Sequence, residues 1–362
     1  MSPTQHQRRA GKLAWLLVML SLGTGCARRE TPPAPSPPAA PAPQATPETT
    51  SAAAIPVRFA YQDRIVDAIP IVAMAQGYFQ QEGLEVKPSV FSSGPACSEA
   101  VLSGAADFGT MGDTTAVIAV AQRAPVKILA SHGGGEHRHR ILVKKDSPIH
   151  QAHDLVGKRV AVKKGTSTYG GLLAWAEKQG LDLKQVQVMD LKPEDMPEAL
   201  ASGSVDAIVA SEPTPSQVEA KGYGRELATL GGLGNTYPVL LVVRVRFVRE
   251  HPEVIPTFLK ALHRGAEFIR ENPEEAIKLV AKASGLSQDV AKKAMARHTY
   301  SLSLDETITR SLNQIAQFLL AQHTIEQLPN WSQVLAGEYL RQVEAEEPGN
   351  EGTEEQEKEE SR

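Results

Sequence analysis

Short apolar runs alternate with stretches of helical spacing along two successive parts of the chain, and the second part repeats the scheme of the first. Val57 to Ala60 reads as a strand, and Ala68 to Gln81 as a helix with Ile71, Val72, Ala75, Tyr78 and Phe79 as its apolar positions. Gly83 ends that helix, and Leu84 to Phe91 is the next strand. Ser92-Ser93-Gly94-Pro95 supplies a capping hydroxyl and a first-turn proline, which mark a helix start. Asp107 to Met111 predicts a third strand, Asp113 to Gln122 a third helix, and Val126 to Ala130 a fourth strand. The second part offers strands at Val160 to Val162, Val186 to Val188 and Asp206 to Ala210. Helices fall between them, from Gly165-Thr166-Ser167-Thr168 to Gln179 and from Pro193 to Ser202. From His251 onward the spacing is helical, through Phe258, Leu262 and Phe268 to Ile308, Leu312, Ile315 and Phe318. This order predicts an α/β protein of two similar Rossmann-like lobes with mainly parallel sheets, and a helical C-terminal third.

A repeated phrase supports the two lobes. Glu99 to Asp107 reads Glu-Ala-Val-Leu-Ser-Gly-Ala-Ala-Asp, and Glu198 to Asp206 reads Glu-Ala-Leu-Ala-Ser-Gly-Ser-Val-Asp. Gly83-Leu84-Glu85 and Gly180-Leu181-Asp182 echo each other upstream, 21 and 23 residues before the shared glycine. A period of about 100 residues is too long for a solenoid repeat and suits duplicated lobes. Two such lobes facing each other make a cleft, where small ligands bind.

The two ends of the chain look different from this body. Arg8, Arg9 and Lys12 precede an apolar run from Leu13 to Leu22, too short to span a bilayer and suited to a signal-peptide core. The run stops at Gly23-Thr24-Gly25-Cys26, which resembles the bacterial lipoprotein signal, with Gly23 where an aliphatic residue is usual. That resemblance implies a lipid on Cys26; an ordinary secretory cleavage would leave the thiol free. Residues 26–54 are dominated by Pro, Ala, Thr and Ser and read as an extended tether. Residues 344–362 hold nine Glu against Lys358 and Arg362 and read as a disordered acidic tail. Loss of Arg8, Arg9 and Lys12 takes the formal charge from −4 to −7, and the tail accounts for all of it. The near-neutral body lacks the clustered basic face that a nucleic-acid partner needs. With Cys26 lipidated, Cys97 has no partner for a disulfide. The boundaries are therefore 1–25 for the signal, 26–54 for the tether, 55–138 for the first part of lobe one and 139–240 for lobe two. Residues 241–343 form C-terminal helices returning to lobe one, and 344–362 the tail.

Ligands of open parallel sheets bind beyond the carboxyl ends of the strands. Three junctions there are small or hydroxyl-rich: Ser92-Ser93-Gly94, Gly112-Asp113-Thr114-Thr115, and Gly165-Thr166-Ser167-Thr168-Tyr169. Unpaired N–H groups at helix starts, together with hydroxyls, form an oxyanion cradle, and the same residues also serve as plain caps. Asp113 is either a cap or a contact for a cationic ligand group, and Glu212 either a cleft residue or a surface charge. Gln62 and Asp63 follow the first strand in the same way. Asp113 with Glu212 would favour a zwitterion such as taurine. His132, Glu136, His137 and His139 invite a metal, but no helical His–Glu signature or Cys ligand accompanies them, so no metal is assigned. The loop from His132 to Arg140 reads instead as an anion-contacting or lobe-connecting crossover.

Gly77-Tyr78-Phe79, Glu82 to Val86, Ser93-Gly94, Gly104 to Gly109 and Gly112-Asp113 occur in order, followed by Ser147-Pro148-Ile149, Asp154 to Ala161, Lys164 to Ser167 and Gly203 to Ala207. Together they resemble the nitrate/sulfonate/taurine class of ABC-transporter substrate-binding proteins, over about residues 55 to 300, with Gly112-Asp113 and Lys164 to Ser167 most like the aliphatic-sulfonate binders. The resemblance implies a type II periplasmic-binding fold, hinged by two crossovers, that closes on its ligand and docks on a permease. It implies ligand contacts at Ser93, Gly94, Gly112, Asp113, Thr114, Thr166, Ser167, Thr168 and Glu212. Ser211-Glu212-Pro213 stands where the family often has Trp-Asp-Pro, which leaves the substrate open.

The expected protein is thus a monomeric, lipid-anchored extracytoplasmic receptor that needs no cofactor, takes a small sulfonate, taurine or nitrate, and delivers it to an ABC permease. An enzyme on the same fold, of the pyrimidine-precursor synthase or menaquinone-pathway lyase type, is the first alternative. No Cys-rich synthase motif, Ser-His-Asp, Cys-His or paired-carboxylate arrangement is legible for it. A receptor for a thiamine-pyrimidine or riboflavin-like ring is the second, and the 5% aromatic content speaks against it.

Overall fold

The computed structural model describes residues 55–346 except Ser92. The expected signal, Cys26, the tether and the tail beyond Glu346 lie outside the described residues. Ten strands are formed: β1 (Ile55–Gln62), β2 (Leu84–Phe91), β3 (Phe108–Gly112), β4 (Val126–Gly133), β5 (His139–Lys144), β6 (Arg159–Val162), β7 (Gln187–Asp190), β8 (Ala207–Ser211), β9 (Gly224–Thr229) and β10 (Val239–Arg244). They make two sheets of five, ordered β2-β1-β3-β10-β4 and β7-β6-β8-β5-β9. The two orders are the same once β6 to β9 are set against β1 to β4. In each sheet four strands share a direction, and one, β10 or β5, runs against both its neighbours. The sheets are therefore mixed, because each crossing chain enters the other lobe as a reversed strand. Residues 241–244, expected to begin the C-terminal helices, instead complete β10, and Glu344 to Glu346 close the helix Glu338–Glu346 before any tail.

The apolar faces explain the layering. Both faces of the first sheet are buried, one against Ile255, Phe258 and Leu262 of the helix Val254–Glu271, the other against Ile308, Leu312 and Ile315 of the helix Glu306–Ala321. Phe258 stacks on Phe108 with ring centroids 4.0 Å apart. A side chain of this kind contributes about 1.5–3 kcal/mol on full burial. The second sheet carries its own core, with Val160, Val162, Leu172 and Trp175 on one face and Ala161, Met196, Leu200 and Ile208 on the other. No helix of the described residues is long and apolar enough to cross a membrane.

The repeated phrase has a structural use at the strand ends away from the cleft. Gly104 and Gly203 take φ of 84° and 79°, the left-handed region that glycine tolerates. Asp107, just before β3, then receives Arg58 of β1: Nε donates to Oδ2 at 2.9 Å, the backbone N–H to the same oxygen at 3.1 Å, and Nη1 to Gly104 O at 2.8 Å. Asp206 receives Arg159 of β6 in the same fashion, with Nε to Oδ2 at 3.1 Å and Nη2 to Gly203 O at 2.7 Å. The phrase thus fastens the first and third strands of each lobe.

Two crossovers join the lobes, one between β4 and β5 and one between β9 and β10. They run side by side: Gly135 N–H donates to Thr236 O at 2.8 Å. A Cβ on Gly134 would lie 2.7 Å from Thr236 O, so that glycine permits the close approach.

Candidate functional site

The carboxyl ends of β1, β3, β6, β7 and β8 converge on a cavity of about 250 Å³ between the lobes. That is just below the range of about 300–1,000 Å³ typical of drug-sized ligands, so a smaller molecule fits. Of the residues singled out in the sequence, Gln62, Ser93, Gly94, Gly112, Thr166, Ser167 and Thr168 line it. They bring three helix starts to one space: the helices Gly94–Leu102, Asp113–Ala121 and Ser167–Lys178. Thr166 caps its helix, accepting from Tyr169 N–H at 3.4 Å, whereas Ser93 makes no side-chain cap bond. The lobes touch here. A Cβ on Gly112 would stand 2.6 Å from Ser167 Oγ, so glycine at 112 admits the opposite helix start.

The other five do not line the cavity. Asp63 is exposed, and Tyr169 packs at the edge of the second lobe's core. Thr114 is buried beside the opposite helix, where a Cβ on Gly170 would meet its Oγ1 at 3.2 Å. The two carboxylates expected to meet a ligand cation are engaged internally. Asp113, fully buried, accepts Thr114 N–H at 2.5 Å and Asn235 Nδ2–H at 3.1 Å. Glu212 accepts Arg140 Nη1–H at 2.9 Å and Ser216 N–H at 3.2 Å. Arg140 itself is shared with Glu219 and Glu226.

What sequence reasoning missed is the cationic part of the lining: Arg64, Arg138, Lys163 and Lys192, against the single carboxylate of Glu194. Arg138 is 4% exposed and held by neutral groups, with Nη1 donating to Ser211 Oγ at 3.1 Å and Nη2 to Tyr237 O at 2.9 Å. Its Nε has no partner among the described residues. Burial pushes the guanidinium down to about 10, opposed by the field of Asp113. Next to it, His139 sets Nδ1 2.8 Å from Thr168 Oγ1, while its Nε2 is buried without a partner. Burial and then the Arg138 charge hold this imidazole well below its ordinary range, so it is neutral. The signal for both was present, since they belong to the loop read as an anion-contacting or lobe-connecting crossover. Lys163 and Lys192 follow the ends of β6 and β7, where the strand-end rule would have found them.

Below the cavity Asp67 is fully buried and braces Gln62, whose N–H donates to Oδ2 at 2.8 Å; Thr110 donates to the same oxygen at 3.1 Å. His132 Nε2 lies 3.2 Å from Asp67 Oδ1, close but not aligned for a hydrogen bond. Burial raises Asp67 to about 7 and lowers His132 to about 3. The loop's histidines thus disperse: His132 to Asp67, His137 to Thr229 Oγ1 at 2.9 Å, and His139 to Thr168. Among the described residues no group of three or more His, Cys, Asp or Glu could hold a metal ion.

Comparison with known proteins follows the same lines. Residues 67–276, more than half of the chain, match the family described as NMT1/THI5 like. The taurine-binding periplasmic protein of Escherichia coli (strain K12) is 28% identical over 307 residues, covering 80% of this chain and 94% of that protein. The alkanesulfonate-binding protein SsuA from Xanthomonas axonopodis pv. citri, solved bound to MOPS, superposes with a TM-score of 0.72 at 24% identity, over 79% of this chain and 99% of SsuA. The desulfurization enzyme DSZB superposes with a TM-score of 0.64 at 18% identity, over 80% and 99%. Both structures share the fold.

Proposed function

Because the chain belongs to the NMT1/THI5-like family, we propose that it is an extracytoplasmic solute-binding protein that closes on a small organic sulfonate and hands it to an ABC-type permease. The observation that carries this reading is Arg138, a buried cation in the cavity wall with no carboxylate among its hydrogen-bond partners and a free Nε. A buried charge of this kind calls for a counter-ion, and a ligand anion supplies one. Three helix starts around the same space add N–H donors and the positive ends of their dipoles. The names of the taurine-binding and alkanesulfonate-binding relatives support a sulfonate as that anion. Ligand contacts from both lobes would shift the population toward the closed form. The lipid on Cys26 belongs to the same reading as the means of keeping the receptor at the membrane.

A binding role is favoured over catalysis by the lining. Its one nucleophile-like contact is Thr168 with His139, and no carboxylate orients that ring. Cys97 is buried in the core of the first lobe, and burial pushes its thiol well above the ordinary range, away from nucleophilic use. No lining side chain among the described residues is Phe, Tyr or Trp, which leaves a flat ring only the small His139 imidazole to stack on. Isothermal titration of the purified protein with 1-propanesulfonate, nitrate and riboflavin tests the reading. Saturable 1:1 binding of the sulfonate alone is expected; binding of riboflavin alone would overturn it.

A further inference from the structure

We propose that the preferred ligand carries a second negative charge at the end remote from its sulfonate, an organosulfonate with a terminal carboxylate. The inference rests on the sulfonate reading of the cleft and narrows its substrate class. The cavity runs from a buried floor at Arg138 to an exposed rim at Lys192 and Glu194. Among the lining charges, Arg138 and Lys192 are in no ion pair among the described residues. Lys163 lies 3.0 Å from Asp190 Oδ2. Glu194 and Arg64, from opposite lobes, lie in each other's fields. Arg138 has only neutral hydrogen-bond partners and feels Asp113 through its field alone, and Lys192 has no ion-pair partner among the described residues. Val66, Pro95, Met196, Val209 and Val239 supply an apolar part of the same lining. A buried cation, an exposed cation and apolar side chains in one lining are complementary to a ligand built as anion, short apolar spacer, anion. A terminal ammonium has poor company here. The two carboxylates that might have received it, Asp113 and Glu212, are turned to Asn235 and Arg140, and the one lining carboxylate, Glu194, stands among Arg64, Lys163 and Lys192.

Three ligands that share a sulfonate and a two-carbon spacer separate the possibilities: 3-sulfopropanoate, 1-propanesulfonate and taurine, ending in carboxylate, methyl and ammonium. Calorimetric titration of the purified full chain is expected to rank them in that order of affinity. Because Lys192 is exposed, the carboxylate should gain only about two- to five-fold over the methyl. In Lys192→Gln the ratio of the two dissociation constants should fall to about one, whatever their absolute values. In the unsubstituted protein the ratio should shrink as ionic strength rises from about 0.01 to about 0.15 M, where the screening length drops from about 30 to about 8 Å. Taurine binding at least as tightly as 3-sulfopropanoate overturns the proposal while leaving the sulfonate reading intact. So does a carboxylate advantage that survives both Lys192→Gln and added salt. Failure of all three to bind removes the sulfonate reading, and this proposal with it.

Discussion

Replacing Arg138 by Met separates what the cleft needs for binding from what the fold needs for stability. In the ligand-free protein the buried guanidinium is a burden. Holding it at about 10 instead of its ordinary 12.5 costs about 3 kcal/mol, and a base with a depressed pKa bears that cost at every pH below its folded value. The substitution lifts this cost but strands Tyr237 O, a loss of about 1–3 kcal/mol. The two nearly cancel, so the melting temperature should stay within about 5 °C of the parent, at roughly 2–4 °C per kcal/mol for a domain of this size. Ligand affinity has no such compensation. Removing one partner of a buried, hydrogen-bonded charge pair costs about 2–5 kcal/mol, or roughly 30- to 5,000-fold in the dissociation constant. Arg138→Lys should fall between, since it keeps the charge and loses the two-pronged donor that spans Ser211 and Tyr237. Differential scanning fluorimetry and titration calorimetry with 1-propanesulfonate read the two quantities separately. Unchanged affinity in Arg138→Met would refute the counter-ion argument. A drop in melting temperature beyond about 10 °C would show Arg138 to be chiefly a fastener of the crossovers.

Gly112→Ala puts a methyl 2.6 Å from Ser167 Oγ across the lobe contact, at an ordinary φ of −68°. The overpacking cost of about 1–3 kcal/mol then falls on the closed form, and affinity should drop about 5- to 150-fold with little change in apo melting temperature; unchanged affinity would mean that the contact plays no part in closure. Stability should also fall with pH below about 6.5. Burial holds His132 and His298 to about 3, and His139 well below its ordinary value, so these imidazoles stay neutral in the fold while the unfolded chain takes up protons from about 6.5 downward. Asp67, raised to about 7 from 3.8, works in the opposite sense, because the fold binds its proton first and is stabilised as pH falls from 7 toward 4. Asp67→Asn removes that opposing contribution and should steepen the acid loss by about 1.4 kcal/mol per pH unit, read from urea denaturation between pH 4.5 and 6.5. An unchanged slope would show that Asp67 does not hold a proton in the fold.

The features legible in the sequence are those with local causes. A strand that ends in Ser93-Gly94, Gly112 or Thr166-Ser167 must turn into a helix there, and parallel topology then carries those helix starts to one edge of each sheet. The features not legible depend on partners far along the chain. β10, Val239 to Arg244, runs straight into the helix Val245–Glu250, with no turn signal to set it off from the helical region. Its place between β3 and β4 comes from pairing with strands more than 100 residues upstream. Asp113 and Glu212 have the composition and position of ligand contacts, and only Asn235 and Arg140, 122 and 72 residues away, decide otherwise.

The duplicated phrase shows why the repeat identifies the architecture better than the ligand. Asp107 with Arg58 and Asp206 with Arg159 are matching fasteners, and they lie at the ends of the strands that face away from the cleft. At the facing ends the halves have parted. The first lobe brings Ser93, Gly94 and Gly112, small residues at two helix starts. The second brings Lys163, Lys192 and the hydroxyls of Thr166 to Thr168. Arg138 belongs to the crossover, where its donor to Tyr237 O ties one crossing strand to the other. On the proposed reading, an anion bound there would touch both lobes and the crossovers at once. Symmetric lobes need only a fold to be repeated, whereas a selective cleft requires unlike halves, and the strand-end loops can diverge without disturbing the clamps beneath them.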